Sequence, residues 1–155
     1  LRFVLFVQGC PHHCEGCHNP ETHEFGVGTN HSVEYLFNRI KRNPLQSGVT
    51  FSGGEPFCQP EGLALLARLL KADGYHLASF TGFTFEQLLA SENPAVMELL
   101  NNLDILVDGP FVLSKRDLEL RFRGSSNQRV LDVPASLKAG KAVPTNDPDW
   151  GYTNI

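Results

Sequence analysis

Four short apolar runs recur along the first two-thirds of the chain, and each pair is separated by a segment with helical patterning. The runs are Leu1–Val7 (LRFVLFV), Gly48–Ser52 (GVTFS), His76–Phe80 (HLASF) and Asp104–Asp108 (DILVD). Their lengths and β-branched or aromatic content predict strands. After Ser32, a natural N-cap, Val33, Leu36, Phe37 and Ile40 repeat at helical spacing. Pro60 opens a second helix with Leu63, Leu66 and Leu70 on one face and Gly74 as its stop. Thr84 to Gln87 fits a capping box, and Asn93-Pro94 restarts a helix bearing Val96, Leu99 and Leu100. Strictly alternating strands and helices constrain the chain to an α/β fold with a mainly parallel sheet and right-handed crossovers. LRFVLFV is apolar at nearly every position, which predicts a strand buried on both faces. Phe3, Phe6, Leu36, Phe37, Phe51, Leu66 and Leu70 are expected in the core. Further short strands are expected near Leu120–Phe122 and Arg129–Leu131. Residues 1–138 then form one domain, and 139–155, rich in Gly, Pro, Asp and Asn, read as a loose C-terminal tail.

The 155 residues fit a single domain, and 41% apolar content suffices for a core without disulfide staples. A net charge of −4 argues against a nucleic-acid partner. No run reaches membrane-spanning length and no secretion signal is present, so a cytoplasmic protein with no membrane partner is expected. The chain opens at Leu1 directly on an apolar run, and a preceding native segment is expected.

Every unusual motif follows a strand directly. A cysteine loop follows the first, Ser52-Gly53-Gly54-Glu55-Pro56 the second, Thr81-Gly82-Phe83 the third and Asp108-Gly109-Pro110-Phe111 the fourth. Sites in parallel α/β sheets form at the C-terminal ends of strands, so all four motifs should meet on one rim. Cys10, Cys14 and Cys17 lie within eight residues, too close for a disulfide framework. Three thiolates can hold three irons of a [4Fe–4S] cluster and leave the fourth open for a ligand. The alternatives are structural zinc, with His12, His13, His18 or His23 as fourth ligand, or an electron-transfer centre, either of them in a module without catalysis. The glycines of SGGEP let backbone approach a ligand closely, or simply make a tight turn. Cys58 reads as a small buried apolar residue. His12 and His13 read as exposed loop residues, either of which could instead line a partner channel, and Asp108 as a polar ligand on the rim. Arg123 to Arg129 (RGSSNQR) reads either as a self-bonded polar turn or as a loop that faces a ligand or partner.

The C-x3-C-x2-C spacing together with Gly53 to Pro56 resembles the radical S-adenosylmethionine (SAM) enzymes. The segment GCPHHCEGCHNPETH is similar to the glycyl-radical-enzyme activases, in which His-Asn or Tyr-Asn follows the last cysteine, as His18-Asn19 does here. TGF, LVDGPF and RGSSNQR, in that order, resemble the activating proteins of anaerobic ribonucleoside-triphosphate reductase. The resemblance spans about Phe3 to Lys138 and implies a shortened, incomplete (β/α) barrel. It implies a [4Fe–4S] cluster on Cys10, Cys14 and Cys17. SAM would be bound by Ser52, Gly53, Gly54, Glu55, Pro56, His18, Asn19, Thr81 and Asp108. It further implies a glycyl radical made on the reductase and an electron donor such as flavodoxin or ferredoxin. Activation of another glycyl radical enzyme, such as formate lyase, is the alternative. Lys115, Arg121 and Arg123 are candidates to bind the SAM carboxylate.

Overall fold

Strand β1 (Arg2–Val7) pairs in parallel with β2 (Gly48–Gly53), β2 with β3 (His76–Phe80), and β3 with β4 (Ile105–Asp108). The computed structural model describes residues 1–12, 14–15, 24–25, 28, 30–117, 119–120 and 122–150. A fifth strand, β5 (Arg129–Asp132), runs antiparallel to β4. Spatial order follows chain order from β1 to β5. When successive right-handed crossovers all step the same way, every connecting helix falls on the same face of the sheet. The helices are α1 (Val33–Lys41), α2 (Pro60–Ala72), α3 (Phe85–Ala90), α4 (Pro94–Asn101) and α5 (Val133–Ala139).

Local chemistry fixes their ends. Ser32 Oγ accepts from the Tyr35 N–H at the start of α1. Thr84 and Gln87 form the expected reciprocal capping box on α3. Asn93 and Asp132 cap α4 and α5, each followed by a proline in the first turn. The apolar faces of α1, α2 and α4 bury Ile40, Leu63, Leu66, Leu70, Val96, Leu99 and Leu100 against Val49, Phe51, Leu77, Leu106 and Leu131 of the sheet. Each such leucine contributes about 2 kcal/mol by leaving water.

The opposite face carries no α-helix among the described residues. By strand alternation it presents Arg2, Val4 and Phe6, then Thr50 and Ser52, His76, Ala78 and Phe80, Ile105 and Val107. The expectation that β1 is buried on both faces is therefore corrected. Val4 and Phe6 are 46% and 59% exposed, because β1 is both a sheet edge and part of the helix-free face. Phe6 is not core, whereas Phe3 packs against it. The described residues Leu120 and Phe122 lie in bends rather than a strand.

Residues 140–150, read from sequence as part of a loose tail, are docked. Val143 O accepts from Asp132 N–H, and Thr145 N–H donates to Val130 O. Trp150 is 6% exposed and packs on Ala78, Ile105 and Val130 of the helix-free face. Its ring lies 5.1 Å from the Arg2 guanidinium and stacks 5.9 Å from His76. It covers the N-terminal half of that face. Among the described residues, no helix is long and apolar enough to cross a membrane.

His76 beside Trp150 gives a pH test. Its Nδ1 lies 3.0 Å from Arg2 Nη1 and accepts from it. Burial pushes the imidazole below its ordinary value, although Asp104 nearby opposes this. A histidine depressed in the folded state binds fewer protons there than when unfolded, so its stabilisation is present above the unfolded value, about 6.5, and is lost as pH falls below it. Thermal unfolding of the wild type should shift downward between about pH 7 and pH 5. The shift should be smaller in His76→Gln, and equal shifts would remove His76 as a source.

Candidate functional site: a cysteine and glycine rim at the strand ends

The four strand-end motifs converge as their positions in the sequence require. A cavity of about 280 Å³ at the C-terminal edge of the sheet is lined by Cys10 and Cys14, Ser52 to Gly54, Phe80 to Gly82, and Gly109 and Phe111. His12, Phe122, Gly124 and Gln128 complete the wall. Cys10 is buried and Cys14 half-buried. Cys17, His18 and Asn19 lie outside the described residues, as do His13 and His23. Among the described residues no group of three His, Cys, Asp or Glu side chains could hold a metal; the third cysteine of the loop is not among them.

The glycine turn is shaped by close backbone approach. Gly53 has φ +93°, and a Cβ there would meet Val7 O at 2.5 Å. Gly54 N–H donates to Val7 O and Glu55 N–H to Gly9 O, which stitches the turn to the start of the cysteine loop. Only a residue without a side chain satisfies both the backbone conformation and the contact.

Glu55 turns away from the cavity and is fully buried. Its Oε2 accepts from Thr81 Oγ1 at 2.8 Å and Phe57 N–H at 3.0 Å. Its Oε1 accepts from Gly82 N–H at 2.7 Å and lies 2.6 Å from His12 Nε2. Pro56 is likewise buried, in the 3₁₀ turn Pro56–Cys58. Asp108 is fully buried too. Its carboxylate accepts from Phe85 N–H, at the first turn of α3, and from Arg129. Arg129 also reaches Glu86, whose carboxyl it holds below the usual range through that hydrogen bond. The cavity is lined by Gly109 at this strand end, and neither Asp108 nor Glu55 lines it.

RGSSNQR spends its polar groups on its own turn and on the residues that follow β4. Gln128 Nε2 donates to Gly109 O at 2.9 Å, while its Oε1 accepts from the N–H groups of Gly124 and Ser125. Asn127 Nδ2 donates to Pro110 O, and the buried Ser125 hydroxyl donates to Asn127 Oδ1 and accepts from Val112 N–H. The segment is a self-bonded turn, and its Gly124 and Gln128 line the cavity. Arg123 donates from Nη1 to Gln128 O, and its buried Nε has no partner among the described residues. Lys115 is exposed and Arg121 lies outside the described residues. Phe122 holds φ +63°, costly for a bulky residue, and its ring rests 4.7 Å from that of Trp150.

Two sequence expectations change. Cys58 is exposed rather than core and lines a neighbouring cavity beside β1 instead of this one. His12, read as an exposed loop residue, is tucked onto Glu55. The signal that could have found it is its place between two cysteines with TGF later in the chain, since that motif supplies its seat.

A soft thiolate donor set on one loop, facing a glycine cradle at parallel strand ends, suits an iron–sulfur cluster with an adjoining small ligand. Comparison with known proteins agrees. Residues 1–131 match the family model described as a 4Fe–4S single cluster domain. The chain is 36% identical over 141 residues to the anaerobic ribonucleoside-triphosphate reductase-activating protein of Escherichia coli strain K12, covering 83% of this chain and 86% of that protein. The Salmonella typhi protein of the same description is 34% identical over 137 residues, with the same coverage. This chain is also 40% identical over 146 residues to the pyruvate formate-lyase-activating enzyme of Listeria monocytogenes, covering 89% of this chain and 57% of that enzyme.

The chain therefore belongs to the 4Fe–4S single cluster domain family. Within it, the chain is a radical SAM activating enzyme of the glycyl-radical class, with a [4Fe–4S] cluster and SAM as its cofactors.

Proposed function

We propose that the chain activates anaerobic ribonucleoside-triphosphate reductase by making a glycyl radical on it, and that the sheet is the shortened, incomplete (β/α) barrel of radical SAM enzymes. The carrying observation is that Cys10 and Cys14 face the Gly53-Gly54 backbone and Thr81-Gly82 across one cavity. Cys10, Cys14 and Cys17 hold the cluster and leave one iron open. Ser52, Gly53 and Gly54 present backbone to SAM, with Thr81 beside them and His18 and Asn19 on the cysteine loop. With the cluster and SAM bound there, the site would supply the one-electron chemistry that takes a hydrogen atom from a glycine Cα of the partner. The chain's own residues hold the reactants together and limit water. Among the described residues no α-helix covers the sheet face opposite α1 to α4, which leaves room for a partner's glycine loop to enter. A flavodoxin or ferredoxin supplies the electron, in the cytoplasm.

The reductase is favoured as partner because the match covers 86% of the length of its activating proteins and 57% of the Listeria enzyme. Formate lyase is the second reading, supported by the 40% identity to the Listeria enzyme. Matched anaerobic reactions of reduced protein and SAM with each partner separate the two. A glycyl radical signal should appear on the reductase and little on the lyase. Equal signals would remove the basis for naming the reductase, and a lyase signal alone would reverse the assignment.

A further inference from the structure

We infer that His12 is a positioning residue that locks the cysteine loop to the SAM-binding turn through the buried Glu55 carboxylate; this rests on the cluster-and-SAM reading above. Three observations converge on the histidine. Its Nε2 lies 2.6 Å from Glu55 Oε1, and a carboxylate oxygen that already accepts from Gly82 N–H receives the imidazole N–H as a second donor. Its ring meets Phe83 edge-on, with centroids 4.6 Å apart and planes at 73°. Gly82 makes the room, since a Cβ at that position would collide with the His12 ring.

The consequence follows from where the tether attaches. The start of the cysteine loop is fixed by backbone bonds from Gly54 and Glu55 to Val7 and Gly9. His12 stands beyond Cys10 and before Cys14, so its bond to Glu55 fixes the part of the loop that carries two thiolates. Glu55 is also the residue next to Gly54 and, through Thr81 and Gly82, the link to the end of β3. One carboxylate therefore sets the distance from the cluster ligands to both the glycine turn and TGF. A ligand that must reach an open iron and that turn together depends on this distance, whereas cluster assembly depends on the thiolates alone.

The test uses His12→Phe, which keeps a ring against Phe83 but removes the donor, and His12→Gln, which restores an N–H donor. Gly82→Ala displaces the imidazole without altering any hydrogen-bonding group, and its backbone lies outside the region that demands glycine. Anaerobically reconstituted proteins are compared for iron and sulfide content, for equilibrium SAM binding, and for the change SAM makes in the paramagnetic resonance spectrum of the reduced cluster. His12→Phe and Gly82→Ala should keep the cluster and lose about tenfold in SAM affinity, equal to about 1.4 kcal/mol. Their spectra should respond weakly to saturating SAM, and His12→Gln should recover most of the response. A wild-type response retained in full by His12→Phe and Gly82→Ala would overturn the tether alone. Loss of iron in step with loss of SAM binding would reduce His12 to a folding residue and also overturn it. A wild type that does not respond to SAM would remove the cluster-and-SAM reading and the tether with it.

Discussion

Cys10→Ala, Cys14→Ala and Cys17→Ala should each abolish the oxygen-sensitive [4Fe–4S] absorption and all SAM cleavage, while Cys58→Ala should retain both. The expected loss is complete because a cluster held by three thiolates has no spare ligand, and two do not retain it. Cys58 is the informative comparison, being near in space but differently placed. It lines the cavity beside β1 with Gln59 and Leu63, whereas Cys10 and Cys14 line the rim cavity. Although exposed overall, its sulfur is screened enough that burial pushes the thiol up to about 11, with Glu55 and Cys10 adding negative charge nearby. A thiol that stays protonated at neutral pH is a poor iron ligand. Iron and sulfide analysis with visible absorption reads the outcome. Retention of a full cluster by any of the three loop variants, or its loss in Cys58→Ala, would break the assignment of three ligands and an open iron.

The convergence of motifs on one rim was legible because it depends only on strand order and chain direction. Parallel strands joined by one-way crossovers must present their C-terminal ends together. The capping signals of α1, α3 and α4 were legible for a similar reason, since a cap acts within a few residues of itself. What sequence missed is non-local. LRFVLFV carries the composition of a doubly buried strand, but its burial is decided by what covers it. An edge position and a helix-free face leave Val4 and Phe6 in contact with solvent. Trp150 joins the fold through Arg2, His76, Ala78 and Ile105, partners spread across three strands far from it in the chain. Glu55 enters the SAM-binding set through the resemblance of Gly53 to Pro56. Its four donors come from the cysteine loop, its own turn and the end of β3, and nothing local reveals that they saturate it.

That saturation yields a second large effect. Glu55→Ala should lower the melting temperature by about 6–12 °C, from a loss of about 3 kcal/mol in a chain of this size. A buried carboxylate is costly unless every lone pair it presents is engaged, and here the hydroxyl of Thr81, the N–H groups of Phe57 and Gly82, and His12 Nε2 engage it. Removing the acceptor strands several donors at once in a site with no exposure, which costs more than the net value of any single bond. Thr81 can rotate to another acceptor and His12 can swing into the cavity, but the two backbone N–H groups cannot move without the turn. Glu55→Gln should lose less than alanine, yet still more than about 1 kcal/mol, because its amide directs donors at groups that already donate. Glu86→Ala is the control: that carboxylate pairs with Arg129, but at 55% side-chain exposure. Surface pairs of this kind are worth about 1 kcal/mol or less. Thermal unfolding of the three variants beside wild type decides the matter. A Glu55→Ala protein that melts with Glu86→Ala would mean that the carboxylate is not the joint between the cysteine loop, the glycine turn and β3.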